Sequence, residues 1–147
     1  MASIRDNLVT TLVARIDAVD GFTGYLRDQR NQATTPVVCI VAPDSEDKQL
    51  ATNGEYNCTY RCEVVIVARE EDADDEIDGG NSFRYLDRLI TQVEMLIHNP
   101  DSWGVSPDYT DVQITGSEVA DPDESNELYA RVFVQWSYRH DYQDPSQ

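Results

Sequence analysis

A run of alternating residues at positions 56–67 constrains the fold more than any other part of the chain. The run reads Tyr-Asn-Cys-Thr-Tyr-Arg-Cys-Glu-Val-Val-Ile-Val, and its side chains repeat every two residues, as in a β-strand. Apolar and aromatic side chains occupy one face throughout, whereas the polar face turns apolar at Val65 and Val67. We therefore predict a long strand whose far end is buried on both sides.

An acidic loop and an amphipathic helix follow this strand and complete the predicted core unit. The acidic loop carries seven carboxylates: Glu70, Glu71, Asp72, Asp74, Asp75, Glu76 and Asp78. After two glycines, a helix capped by Asn81 or Ser82 is predicted to run to about His98. Its predicted buried stripe consists of Phe83, Leu86, Ile90, Val93 and Ile97.

The segment before this unit predicts one helix and one or two strands. Ser3 is placed as the N-cap of a helix whose apolar residues recur about every fourth position, and Asp20-Gly21 is placed to end it. Residues 22–32 are ambiguous, and residues 23–27 within them are compatible with a short strand. An apolar run at 37–42 predicts a buried strand, closed by Pro43 and antiparallel to the long strand.

The remaining segments complete the element order. Residues 44–55 are interpreted as a polar loop, and Val112 with Ile114 marks a further strand. Turn residues at 121–126 predict a hairpin connection to a last alternating strand over 127–140. The polar tail 141–147 is expected to be flexible.

Together these segments predict a single α+β domain over residues 1–147. We expect a mainly antiparallel sheet of four to five strands, with two amphipathic helices packed on one face, in the order α-β-β-(β)-α-β-β. The opposite face is predicted to be mixed in character, which indicates contact with another molecule. That mixed face carries Arg61, Glu63, Arg131, Gln135 and Arg139 among aromatic residues.

The charge of the chain excludes some classes of function. The sequence has 28 acidic and 11 basic residues, which gives a net charge of −17. Such a field repels nucleic acid and anionic membranes, so a DNA-gripping role is not expected. A surface past which DNA slides without sticking remains compatible with it. No apolar run approaches the ~20 residues that span a bilayer, and we expect a protein that is made and kept in the cytosol.

Cysteine, histidine and carboxylate positions do not form a recognisable catalytic or metal motif. Cys58 and Cys62 lie four residues apart on one predicted strand, roughly 13 Å, which is beyond disulfide reach. Cys39 is able to meet one of them across a strand pair, but buried free thiols are the favoured interpretation. Residues 74–79 imitate the first half of an EF-hand, yet the twelfth position is Tyr85 instead of a bidentate Glu.

Four stretches, taken together, resemble a known family. They are the N-terminal amphipathic helix, the strand ending in Glu63-Val-Val-Ile-Val-Ala-Arg69, the helix over 83–97, and the final strand pair ending in Arg131-Val-Phe-Val-Gln-Trp-Ser-Tyr138. In size, element order and hydrophobic pattern, most of the chain resembles the tail terminator proteins of tailed bacteriophages.

This resemblance implies a homohexameric ring that caps the tail tube, ends its polymerisation and provides the head–tail joining surface. DNA passes through the lumen of such a ring without specific binding. The implied partners are the tail tube protein and the head–tail connector or neck proteins. The implied location is the virion tail or neck, and the host cytoplasm during assembly. The resemblance implies no catalytic residues, no cofactor and no metal, and hence no enzyme.

In such a ring the acidic loop is predicted to line the lumen, where it repels DNA, or to face a partner. Because the net charge opposes ring closure, we expect arginines at the subunit contacts. The candidates are Arg61, Arg84, Arg88, Arg131 and Arg139. Two alternatives stay open: another neck or head–tail connector subunit, and a small acidic cytosolic protein that binds a metal or another ligand or is a metal-dependent enzyme.

Overall fold

The structure, a computed structural model, describes residues 3–27, 35–51, 54–101, 103, 111–120 and 126–141. Its elements in chain order are α1 (Ile4–Asp17), β1 (Phe22–Leu26), β2 (Val37–Leu50), β3 (Glu55–Arg69), a 3₁₀ turn (Glu70–Asp72), α2 (Ser82–Ile97), β4 (Asp111–Val119) and β5 (Glu127–Asp141). The described residues form a five-stranded mixed sheet with both helices on one face. This arrangement confirms the predicted α+β fold.

The strand order in the sheet is β1-β2-β3-β5-β4. The short strand β1 pairs with β2 in parallel, and the other three pairings are antiparallel. The long strand predicted from the alternating run is β3, and it lies at the centre between β2 and β5. These three strands have 14 or 15 residues each, longer than the usual 3–10.

The second strand is longer than the sequence predicts. The prediction ended it at Pro43, but β2 continues to Leu50 and pairs with β3 over its whole length. The expected polar loop 44–55 was therefore wrong over most of its extent. Residues 44–49 are all polar, so their strand conformation comes from pairing with β3 and not from local preference. Gly54, with φ of 81°, lies in the turn between the two strands.

The position of Pro43 explains why it does not end the strand. The backbone of Val41 faces β1, since Arg27 N donates to Val41 O at 3.0 Å. Two residues later, Pro43 faces the same side, where β1 has already ended. A missing N–H at that edge therefore breaks no ladder hydrogen bond. A register shift between Pro43 and Ser45 accommodates the ring.

The first helix begins as predicted and ends slightly earlier. Ser3 Oγ accepts a hydrogen bond from Asp6 N at 3.1 Å, which confirms the predicted N-cap. The helix ends at Asp17, and the predicted terminator Gly21 adopts the left-handed conformation, with φ of 84°, at the turn into β1.

The second helix has the predicted limits but a different buried stripe. Asn81 is the N-cap, with its side chain accepting from Phe83 N and Arg84 N. Tyr85 and Leu89 are buried, which shifts the stripe to one side and leaves Phe83 at its margin. The side chain of Phe83 is 57% exposed, so its predicted place in the core was wrong.

The sheet is covered on one face only within the described residues. Side chains at alternating positions of β3 are buried beneath the helices, whereas the intervening ones are half-buried or exposed. Val65 and Val67 are half-buried, so the prediction that this end of the strand is buried on both sides was wrong. The change from polar to apolar side chains at that end marks a half-covered surface, not a second core layer.

Two predicted segments lie mostly outside the described residues. Of the hairpin connection 121–126, only Asn126 is described, and it has a positive φ of 62°. Of the tail 141–147, only Asp141 is described, as the last residue of β5.

Candidate functional site

The uncovered face of the sheet divides into an apolar half and a polar half. The apolar half consists of Val38, Ile40, Val65, Val67, Tyr129 and Phe133, all half-buried. Strand pairing aligns these residues in rows across β2, β3 and β5, for example Val38, Val67 and Tyr129. An apolar surface of this kind on a sheet face is typical of a contact site.

The polar half lies toward the turn between β2 and β3. Arg61 is half-buried there, and its Nη1 donates to Asp47 Oδ2 at 2.6 Å. This predicted interface arginine is therefore already engaged within its own chain. Arg139, a second predicted interface residue, is exposed opposite Asn57 on the neighbouring strand.

Arg131 differs from both because it projects within the apolar half. It is exposed, and its cross-strand neighbours on the two sides are Val65 on β3 and Glu118 on β4. No ion pair joins Arg131 to Glu118 or to any other residue in the described ranges. An unpaired guanidinium within an apolar surface is suited to a partner's carboxylate.

The acidic loop lies at the end of β3 and has two distinct parts. Six of its carboxylates are exposed: Glu70, Glu71, Asp72, Asp74, Asp75 and Glu76. The seventh, Asp78, is only 1% exposed. Asp78 therefore does not share the outward position predicted for the group, and it does not belong to a repelling surface.

A bidentate ion pair explains the burial of Asp78. Arg88 Nε and Nη2 donate to the two carboxylate oxygens of Asp78 at 3.0 and 2.9 Å, and Asp74 N donates to Oδ2 at 2.8 Å. The hydrogen bonds from Arg88 lower the pKa of Asp78, outweighing the effect of desolvation. The predicted subunit-contact residue Arg88 thus anchors the loop of its own chain to α2.

Further hydrogen bonds give the acidic loop a defined shape. Asp74 Oδ1 accepts from Glu76 N and Ile77 N at 2.8 and 2.9 Å. Gly79 and Gly80 have φ of 61° and 67°, a left-handed conformation that makes the turn into α2. The tip that results presents Ile77, which is 65% exposed, between acidic neighbours.

The loop is not built as an EF-hand. Tyr85, at the position of the closing ligand, is a buried residue of α2 itself, and Asp78 is bound to Arg88. The described residues contain no group of three His, Cys, Asp or Glu side chains able to hold a metal ion. Arg84, the remaining predicted interface arginine, is exposed in the first turn of α2.

A partly buried polar network, which the sequence did not predict, lies at the opposite end of the sheet. Glu46 accepts from Tyr138 Oη and from Arg5 Nη1, the latter at 3.2 Å. Lys48 Nζ lies 2.9 Å from Nε2 of the buried His140, which must be the acceptor because an ammonium group only donates. Glu46 and Lys48 belong to the part of β2 that the sequence suggested was loop, so no local signal pointed to this network.

The three thiols of the chain are not activated for chemistry. Cys39, Cys58 and Cys62 are buried and unpaired, which confirms the favoured interpretation. Burial raises the pKa of Cys39 to about 12 and also raises the pKa values of the other two. A reactive thiol requires a lowered pKa, so these three are poor nucleophiles.

A small cavity of about 290 Å³ lies between the α1–β1 turn, the start of β2 and α2. It is lined partly by Phe22, Val37 and Leu89, with the carboxylates of Asp20 and Asp72 at its sides. Its volume is at the lower limit of ordinary ligand pockets. The cavity accommodates a small ligand or a single side chain of a partner.

Comparison with known proteins gives no relationship on which to base a function. No family model matches the chain, and no curated protein matches it. Among the described residues, no helix is both long and apolar enough to cross a membrane. The candidate site is therefore defined by its own geometry: a half-apolar sheet face with an unpaired arginine, and an anchored acidic loop.

Proposed function

We propose that this chain is a structural subunit of a bacteriophage tail, a tail terminator that assembles into a homohexameric ring. The observation that supports the proposal best is the uncovered sheet face, apolar in one half and charged in the other. In this proposal the ring caps the tail tube, ends its polymerisation and provides the surface that joins the head. The partners are the tail tube protein and the head–tail connector or neck proteins.

The dimensions of the sheet face fit a subunit contact. At about 3.3 Å per residue and 4.8 Å between strands, the five strands span a face of roughly 900 Å². A standard protein interface buries ~800 Å² on each partner. One face of this sheet is thus large enough for a stable contact, and burying Val65, Val67 and Phe133 there removes apolar surface from water.

The charge fits passage of DNA through such a ring. Six copies at −17 carry −102, a field that keeps DNA from adhering to the walls in transit. The same field opposes closure of the ring, so closure has to rely on specific contacts between opposite charges. The ring assembles in the host cytoplasm and becomes part of the virion neck, and it performs no catalysis.

The test is to add the purified protein to growing tail tubes. We expect six-fold species in sedimentation experiments and tubes whose length stops increasing when the protein is added. The control is the variant V65D/F133D, which should fold but not cap the tubes, so that they grow as they do without added protein. Tubes that elongate normally in the presence of the wild-type protein would contradict the proposal. A ring of another symmetry that binds the head side alone would favour the neck or connector alternative.

The cavity near α2 favours a second candidate, a small acidic protein that binds a ligand or a cation. Asp20 and Asp72 line the cavity beside an apolar wall, and Arg88 in the same lining is already paired with Asp78, so the site suits a small cationic group. This candidate predicts a monomer whose melting temperature rises with the bound ligand. Calcium and a guanidinium compound are the first probes, and a monomer that responds to either one at micromolar concentration would favour it over the ring.

A further inference from the structure

We infer that the apolar half of the sheet face is the seat of the acidic loop of the neighbouring copy, with Ile77 as the apolar anchor and Arg131 as the ionic partner. This inference rests on the proposed ring and deepens it by naming the contact. It also assigns the acidic loop to the subunit interface instead of the lumen.

The unpaired Arg131 favours an acidic occupant, and the acidic loop of a second copy of this chain is one. Because each chain carries −17, two copies repel unless a contact sets cations against acids. Arg131 supplies the cation: it is exposed within the apolar half and has no ion pair in the part of the chain that the structure describes. The acidic loop supplies the acids, with Asp75 and Glu76 exposed immediately before Ile77.

The acidic loop also carries an apolar side chain that can pack on the apolar half of the sheet face. Ile77 is 65% exposed, although isoleucine is among the residues most often buried. Setting Ile77 among Val38, Val65 and Val67, next to Arg131, would cover apolar surface on both copies. The exposed Ile77 and the apolar half of the sheet face would then cover each other.

The loop is pre-organised for docking. The Asp78–Arg88 ion pair fixes its base on α2, and the Asp74 side chain fixes its tip through the amides of Glu76 and Ile77. A contact made by an already ordered loop loses less conformational entropy than one made by a loose segment. The buried ion pair then contributes to assembly as well as to the stability of the single chain.

The contact is heterologous, because the loop and the sheet face are different surfaces of one chain. Contacts of this type repeat head to tail, and they close into a ring when the rotation between copies allows it. Each chain then docks its own loop on one neighbour and binds the loop of the other neighbour, so every loop is docked in a closed ring.

The test combines single changes with a charge exchange, measured by sedimentation at low salt. R131E and I77D should each weaken self-association at least tenfold. The matched controls R27E and M95D change an exposed arginine and an exposed apolar residue elsewhere, and should leave it unchanged. Circular dichroism and melting curves show whether each variant folds.

The charge exchange separates a direct contact from general damage. D75R/E76R alone should lose assembly because arginines then face Arg131. The combined variant D75R/E76R/R131E should recover it because the ion pairs are restored with opposite sign. If the single variants assemble like wild type, or if the combined variant stays dissociated, the inference is overturned while the ring stands. If the wild-type protein forms no ring even on tail tubes, the proposed function itself fails.

Discussion

Val→Thr at Val64 should destabilise the single chain, whereas Val→Thr at the next residue, Val65, should weaken the proposed assembly. Val64 and Val65 are neighbours on β3, but Val64 is fully buried under the helices and Val65 lies on the uncovered face. Threonine has nearly the shape of valine and suits a strand, so Val→Thr changes mainly one methyl into a hydroxyl. The position of that hydroxyl decides the effect.

The magnitudes follow from burial. At Val64 the hydroxyl is placed in an apolar core without a solvent partner, which should lower the free energy of unfolding by about 1–3 kcal/mol. For a chain near this length, each kcal/mol shifts the melting temperature by about 2–4 °C. At Val65 the hydroxyl remains in contact with water in the single chain, so the change should stay within ~0.5 kcal/mol. In the assembly, however, the same hydroxyl becomes buried at each contact.

The assay is urea unfolding at low protein concentration, followed by the fluorescence of the buried Trp136, beside sedimentation at high concentration. V64T should shift the unfolding midpoint and leave assembly intact where the chain is folded. V65T should leave the midpoint unchanged and weaken self-association severalfold. Equal loss of stability at both positions would show that Val65 is covered within the single chain, and would refute the assignment of this face to a partner.

Four further predictions follow from the described contacts. D78N should lower the melting temperature more than the exposed control D75N, because it removes the charge that Arg88 binds. Since the pKa of Asp78 is lowered in the fold, its contribution is present above the unfolded pKa of about 3.8 and is lost as pH falls through the folded pKa, which acid titration measures. G24A should destabilise by about 1–3 kcal/mol in urea unfolding, because the new Cβ would lie 3.0 Å from Ile16 Cβ on α1. Stability should fall above pH 9, because burial raises the pKa of Cys39 to about 12, so this thiol stabilises the fold below its unfolded pKa and costs up to about 1.4 kcal/mol per pH unit above it; C39A should make that limb less steep, since Cys58 and Cys62 keep their raised pKa values. Neutralising the six exposed loop carboxylates while keeping Asp78 should leave the fold intact; stronger DNA retention would support the lumen position of the loop, and lost assembly would support its place in the interface.

Local periodicity was sufficient for the elements with a clear repeat. The caps Ser3 and Asn81 lie where the sequence places them, and β3 and β5 have the predicted alternation. The mixed face opposite the helices was also predictable, because the intervening residues of β3 and β5 alternate polar and apolar types. These features depend on neighbours within a few residues, which a sequence displays directly.

The remaining features depend on partners distant in the chain. The second half of β2 is polar and contains Pro43, and only its pairing with β3 makes it a strand. Asp78 looks like its acidic neighbours, yet Arg88, ten residues later, binds it in a buried pair. A single arginine on the inner side of an amphipathic helix, close after a run of acids, is the signal from which this pair could have been predicted.

The most direct test of the ring is electron microscopy of negatively stained tail tubes after addition of the wild-type protein. The proposed function predicts six-fold rings at one end of the tubes, each accounting for six chains of 16.6 kDa. Bare tube ends, with the protein remaining monomeric in the background at every salt concentration, would contradict it.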